Sequence, residues 1–388
     1  MGCGLSAPSP PAARKTQADA RPVAEAAAED GRTAAQRRAE CRDERLMEPM
    51  VDIVDPHHHF FETGFPAAWL AAPAISNSFG KAEDTFVGAP YMLRQLICDI
   101  AENNVTHTVY VTGGAFWDTD DSVPKHLKCV GETRKCQALA EGAAACALPA
   151  VCAGIVAHAD LSLGKELVAE QLVAHVAAGA NLRGVRDNAA CSGDGAIFNA
   201  TSNANKLGST EFREGLREVA SRGLVFDTYV FPQQLAGVAD LALAFPELTV
   251  VLNHAGQPLG VSTFAPLTWG NELAQQWRDG IARLAACPNV YIKLGGWGMP
   301  VTGLFDASAS TPPSSRHVAD VLAPWFGFVL DHVGADRCMF ESNFPVDKAS
   351  CSYTVLWNAF KHIARDRGLP APAVARLFGG TAKAVYRL

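Results

Sequence analysis

No apolar run in the 388-residue chain reaches eighteen residues, so nothing in it reads as a membrane-spanning helix. No hydrophobic segment of the signal-peptide kind stands near its start. Basic residues are not in excess either. The chain has 33 Lys and Arg against 40 Asp and Glu, and residues 1–49 hold eight of each sign, which leaves the whole net charge of −7 on the remainder. An acidic body without a basic stripe excludes nucleic acid as the expected partner. No Cys-x-x-Cys pair occurs among the 11 cysteines, and the loose group Cys129, Cys136, Cys146 and Cys152 fits no zinc spacing. An odd number of scattered thiols suits a reducing compartment, so the expected location is cytoplasmic. A Gly-rich phosphate turn is also missing after the first strand-like run, where Pro56 leads into three histidines. That absence counts against a doubly wound dinucleotide-binding sheet.

What the chain does have is rhythm. Strand-like runs at 51–60, 105–115, 151–161, 181–188, 224–231, 248–254, 289–296 and 337–346 are each followed by a helical pattern. Eight such units predict a (β/α)8 TIM barrel over residues 50–388. Strand six is nearly continuous in apolar residues, as suits a strand covered on both faces. Residues 1–49, rich in Ala, Arg, Glu and Pro, are predicted to be a disordered tether. They begin Met1-Gly2-Cys3-Gly4-Leu5-Ser6, which fits myristoylation at Gly2 with Cys3 placed for palmitoylation. Two acyl chains anchor where one does not, so the expectation is a barrel tied by lipid to the cytosolic face of a membrane.

Function is expected where polar residues end the strands, because barrel active sites form at that rim. Strand one ends Asp55-Pro-His57-His-His59, and strict alternation puts Asp55, His57 and His59 on one face, with His58 on the other. Two imidazoles at i, i+2 can hold a metal ion or polarise a carbonyl. His158 lies late in strand three. Arg186 and Asp187 close strand four, and Asp227 and Tyr229 lie late in strand five. His254 closes strand six, Lys293 is in strand seven, and Glu341 and Asn343 are in strand eight. Charged groups are rarely buried without partners, so their gathering on one rim points to chemistry. Alternation places Glu341 and Asn343 both toward the axis, with Lys293 as the expected partner of Glu341.

The segments Asp55-Pro-His57-His-His59-Phe, Gly184-Val-Arg186, Asn253-His254-Ala-Gly-Gln-Pro258, Ile292-Lys293-Leu and Phe340-Glu-Ser-Asn-Phe-Pro345 stand in order on these units. In that pattern the span 51–388 resembles the amidohydrolase-related (amidohydrolase 2) family of metal-dependent TIM-barrel hydrolases, in its lactonase branch. The resemblance implies a hydrolase that opens a small lactone or related cyclic ester or amide. A divalent metal, zinc or similar, would be held by His57, His59 and His254; some lactonases of the branch work without metal, and the histidines would then bind substrate. Relatives carry an aspartate, the expected base, where this chain has Asn343, and an amide cannot take a proton at neutral pH. Glu341 or Asp227 is therefore expected as base, with Asp347 a third candidate and Asn343 orienting water or substrate. Arg186 is expected to anchor an anionic small-molecule substrate, with Lys293, His158 and Tyr229 beside it and Trp69 and Trp297 as pocket walls. The long connections 62–90 and 299–316 are the expected lids. Two rival readings stand: a non-oxidative decarboxylase of an aromatic or enolic acid on the same fold, and a catalytically silent membrane-tethered scaffold.

Overall fold

The computed structural model describes residues 44–63, 72–80, 89–306, 309 and 311–388. Gly2, Cys3 and the expected acylation lie outside the described residues, as does Trp69. Eight parallel strands pair in chain order: β1 Ile53–His58, β2 Val105–Val111, β3 Ala150–His158, β4 Leu182–Arg186, β5 Val225–Thr228, β6 Val250–Leu252, β7 Val290–Leu294 and β8 Cys338–Phe340. The ring closes just past β8. His58 bridges Phe344 in parallel, His59 N–H donates to Phe344 O at 2.8 Å, and Asn343 N–H donates to His57 O at 2.9 Å. The fold is a (β/α)8 barrel, as the rhythm predicted. Among the described residues no helix is long and apolar enough to cross a membrane.

Helices α1 Pro73–Phe79, α2 Leu93–Ile100, α3 Val130–Ala145, α4 Lys165–Ala178, α5 Thr210–Ser221, α6 Leu235–Ala244, α7 Glu272–Ala285, α8 Ser315–Val333 and α9 Tyr353–Asp366 follow the strands. Helix α1 lies inside the connection expected to be a lid and gives no amphipathic signal; a proline at its first turn starts it. The chain closes in three helical pieces: α10 Ala371–Ala375, a π-helical turn Arg376–Gly380 and α11 Thr381–Tyr386. Gly379 lets that turn press on β1, since a Cβ there would meet Val54 Cγ2 and the carbonyl of Asp52. The body also reaches back before residue 50. Glu44 accepts from Ser315 Oγ at 2.7 Å, Met47 N–H donates to Asn358 Oδ1 at 2.9 Å, and Lys361 Nζ donates to Met47 O at 2.9 Å.

Alternation sorts the apolar side chains into two layers. Tyr110, Ile155, Phe226, Leu252, Ile292 and Phe340 join the helices in the large outer core. Their neighbours Val109, Val111, Val156, Val225, Val251 and Met339 form a second cluster with Val54, Val385 and Tyr386. That cluster fills the barrel, and α11 plugs its lower end. At the other end, residues from the loops after the strands build a third cluster that includes Phe61, Ala190, Ile197, Phe231, Leu259, Met299, Val301 and Val346.

One local irregularity resets the first strand. Asp55 pairs with Thr108 and His58 with Tyr110, so Pro56 and His57 together oppose Val109. This extra residue is a β-bulge, and it shifts the phase of alternation. Val54 and His57 therefore both face the axis. The expectation that Asp55 shares the face of His57 and His59 is corrected: Asp55 turns outward and accepts from Ser342 Oγ at 2.6 Å and Tyr353 OH at 3.0 Å. His58 also faces outward, bonding Thr108 Oγ1 at 2.9 Å.

Candidate active site

At the C-terminal mouth, β1, β6 and β8 bring His57, His59, His254 and Glu341 together. Each imidazole is oriented by a named acceptor. His59 Nδ1 lies 2.7 Å from the carbonyl of Val111, so it carries the proton and leaves Nε2 as a lone pair. His254 Nδ1 donates to Glu341 Oε1 at 2.7 Å, and the backbone N–H of His254 reaches the same oxygen at 3.1 Å. That bond turns Nε2 of His254 into an acceptor. His57 Nδ1 comes within 2.6 Å of Glu341 Oε2, yet off the line of a hydrogen bond, so both buried atoms lack a directed partner. The His57 and His254 rings stack at 4.7 Å, and His57 Nε2 faces His59 Nε2 at 3.2 Å.

Burial, followed by the nearby positive charge of Lys293, holds the His57 ring well below the ordinary imidazole range. Burial and then Arg186 do the same for His59, against the Val111 carbonyl, which favours its protonation. Both rings are therefore neutral at pH 7. The 3.2 Å approach of the two Nε2 atoms needs a proton or a cation between them: the Nε2–H tautomer of His57 donates to His59, and with the His57 proton on Nδ1 the two lone pairs face a common point. The residues present fit such a cation. Ligand atoms of His57, His254 and Glu341 also lie within 4.8 Å of one another, a nitrogen-and-oxygen donor set that zinc accepts. This grouping puts Glu341 where the sequence suggested His59.

The turn that carries His254 is unusual. His254 has φ 53° and Ala255 φ 48°, left-handed values that non-glycine residues adopt at a cost of about 1 kcal/mol. Trp297 helps to hold it, donating its indole N–H to His254 O at 2.7 Å. The expected role of Trp297 as a pocket wall is corrected, because its ring is sealed among Trp277, Trp325 and Phe326. Gly296, at φ 74°, is required here: a Cβ would collide with the His254 ring.

Beneath the histidines a second polar layer is self-contained. Asp227 Oδ2 accepts from Lys293 Nζ and from Asn253 Nδ2, both at 2.8 Å, and Tyr386 OH lies 3.0 Å from each carboxylate oxygen. Lys293 thus pairs with Asp227, not with Glu341 as expected. Asp227 and Lys293 are both fully buried, and the carboxylate is saturated by donors, which weighs against Asp227 as base and Lys293 as substrate ligand. Arg186 rises between the two layers. Its Nη2 donates to Thr112 O, its Nη1 lies 3.4 Å from His57 Nε2, and its buried Nε has no partner.

Around the rim, Tyr229 and His254 meet edge to face with ring centres 5.5 Å apart, and the ring centres of His158 and the exposed Trp117 are 5.1 Å apart. Burial lowers the affinity of His158 for a proton. Two contributors were not singled out in the sequence, and a third, Asp55, was placed on the wrong face. Trp117 is one. Glu132, buried on α3, accepts from Tyr110 OH at 2.6 Å, Thr112 Oγ1 at 2.5 Å and the Gly113 and Gly114 N–H groups at 2.9 Å, fixing the loop that holds Arg186. Asp55, read as facing inward, instead fastens β1 to the end of β8. A hydrophobic-to-charged switch inside a helix start, as at Val130-Gly-Glu132, is the only trace Glu132 leaves. Asp347 is wholly buried behind Asn343, and burial raises its carboxyl to about 8.

The chain was compared with known proteins. A sequence model of the amidohydrolase family matches residues 54–388. An uncharacterized protein, y4mH of Sinorhizobium fredii, is 30% identical over 342 residues, covering 87% of this chain and 99% of that protein. An L-fucono-1,5-lactonase of Burkholderia ambifaria is 30% identical over 167 residues, 42% of this chain and 50% of that enzyme. Among solved structures, an amidohydrolase from Burkholderia multivorans with bound zinc aligns with a TM-score of 0.62 and 24% identity, over 87% of this chain and 99% of that one.

Proposed function

The chain belongs to the amidohydrolase family, and on that footing we propose that it hydrolyses a small lactone, with sugar-acid lactones as the substrate class. The observation that carries the reading is Glu341 set between His57 and His254 at the barrel mouth, with His59 beside them. Glu341 holds the Nδ1 proton of His254, so the Nε2 lone pair is the site that takes a proton from the attacking water. As that proton arrives, the carboxylate stabilises the imidazolium. Arg186 supplies an unpaired buried N–H beside the same imidazoles and would bind a substrate oxygen there. His57 and His59 would hold a divalent ion by their facing Nε2 atoms, leaving the Nε2 of His254 free to take the proton. Bound there, such an ion would polarise the lactone carbonyl. Tyr229, His158 and the exposed Trp117 would line the approach, an arrangement suited to a ring with apolar and hydroxylated faces. The sugar-lactone class is supported by the name of the Burkholderia ambifaria relative.

The test is a substrate panel of five- and six-membered sugar lactones, including L-fucono-1,5-lactone, followed by acid release, with aromatic acids assayed in parallel for carbon dioxide. Ring-opened acid is the expected product. Carbon dioxide without ring opening would move the chemistry to decarboxylation, and neither product would return the chain to a scaffold.

A further inference from the structure

The turn after strand eight places an amide, Asn343, directly beside the candidate active site, bonded through its backbone N–H to the carbonyl of His57. The backbone of Asn343 is fixed on both sides: its N–H donates to His57 O at 2.9 Å, and its carbonyl accepts from Val346 N at 2.8 Å and Asp347 N at 3.2 Å. Its φ of 54° lies in the left-handed region, which asparagine tolerates better than most residues. Its side-chain Nδ2 donates to Asp347 Oδ1 at 2.8 Å. The other oxygen of Asp347 accepts from Gly298 N–H at 2.8 Å, so both oxygens of that carboxyl group are held by donors that favour its ionised form against the burial. One polar atom is left over. Asn343 Oδ1 is buried and has no partner among the described residues. Buried acceptors without a donor are rare in native structures, and such an atom next to a candidate active site marks where a donor from water or substrate belongs.

We propose that Asp347 is a positioning residue for Asn343. By accepting the Nδ2 protons it settles which end of the amide faces outward, so that Oδ1 accepts a hydrogen bond from the attacking water or a lactone hydroxyl. The same loop that holds Asp347 through Gly298 also holds His254 through Trp297, so the water acceptor and the imidazole share one support. The proposal rests on the lactonase reading for the identity of the donor, though not for the amide geometry.

The experiment compares Asp347→Asn with the reciprocal swap Asn343→Asp/Asp347→Asn. In the single variant Gly298 N–H holds the oxygen end of the new amide at position 347, whose NH2 then faces Asn343 and turns that amide around, so that Oδ1 no longer faces outward. For the lactone that the wild type opens best, kcat should fall at least about tenfold with KM changed less than about twofold. The swap restores one amide donor against one carboxylate acceptor, and kcat should return to within about threefold of wild type. Unchanged kcat in Asp347→Asn, or a folded swap variant no better than the single one, overturns the proposal. If the single variant does not fold, the swap decides alone, and failure of both marks Asp347 as merely structural. A second readout does not depend on turnover. With 15N-asparagine labelling, the Asn343 side-chain amide should give two slowly exchanging proton signals in the wild type that are lost in Asp347→Asn. If no lactone is opened but those signals behave this way, the lactonase reading fails while the positioning stands; their absence from the wild type sinks the positioning.

Discussion

Lys293 and Asp227 show why a residue on the right strand need not serve the reaction. Both were expected at the rim because they stand late in their strands. Both are consumed by each other, with Asn253 and Tyr386 filling the remaining positions. Removing one partner leaves a buried charge uncompensated, which costs about 3–5 kcal/mol, whereas replacing both with uncharged groups costs much less. Lys293→Met should therefore lower the urea unfolding free energy by about that amount. Asp227→Asn added to it should recover most of the loss. Equal destabilisation in the single and double variants would show that the pair carries no such penalty. The residue types of the site were legible from sequence, but their pairing was not, because pairing depends on how deep in the barrel each side chain sits.

At the scale of elements, the strands were legible from apolar runs and the polar residues that end them. The bulge in β1 was not. Pro56 is the one hint of the extra residue, since a proline within a strand paired on both sides cannot donate to the ladder and sits at bulges, and alternation alone sends Asp55 to the wrong face. Helix α1 was hidden because seven residues rich in small side chains carry no period. Helix α4 carries a titratable group whose role is now visible. His175 is buried against β3, with Nε2 2.9 Å from His158 O and Nδ1 2.8 Å from Thr133 Oγ1. Burial lowers it to about 4 from the ordinary 6.5, opposed by the His158 carbonyl. The unfolded chain thus binds more protons between those values, so this stability is full above pH 6.5 and is lost as pH falls toward 4. The shift corresponds to on the order of 3 kcal/mol. His175→Gln should lose less stability than wild type between pH 7 and pH 4, by roughly that difference. Parallel pH profiles for the two proteins would contradict it.

Over the whole molecule, the barrel was readable because eight repeats of strand and helix leave few other topologies, and the order of the motifs along them placed the family. What the sequence could not convey is the vertical ordering. A valine-lined lower barrel plugged by α11 supports the Asp227–Lys293 layer, and that layer supports the imidazoles with Glu341 above it. Loops from seven of the eight strands then close an apolar collar around the mouth. The histidines and Glu341 come from three strands at least 87 residues apart in sequence between His254 and Glu341, and only the closed ring makes them neighbours. The most direct measurement is kcat/KM for lactone opening by Glu341→Gln beside the wild type, with thermal unfolding to show that both are folded. A glutamine can still accept from His254 but lacks the negative charge that stabilises its imidazolium, so turnover should drop by roughly two to four powers of ten. A folded Glu341→Gln protein that opens the lactone at the wild-type rate would contradict the account.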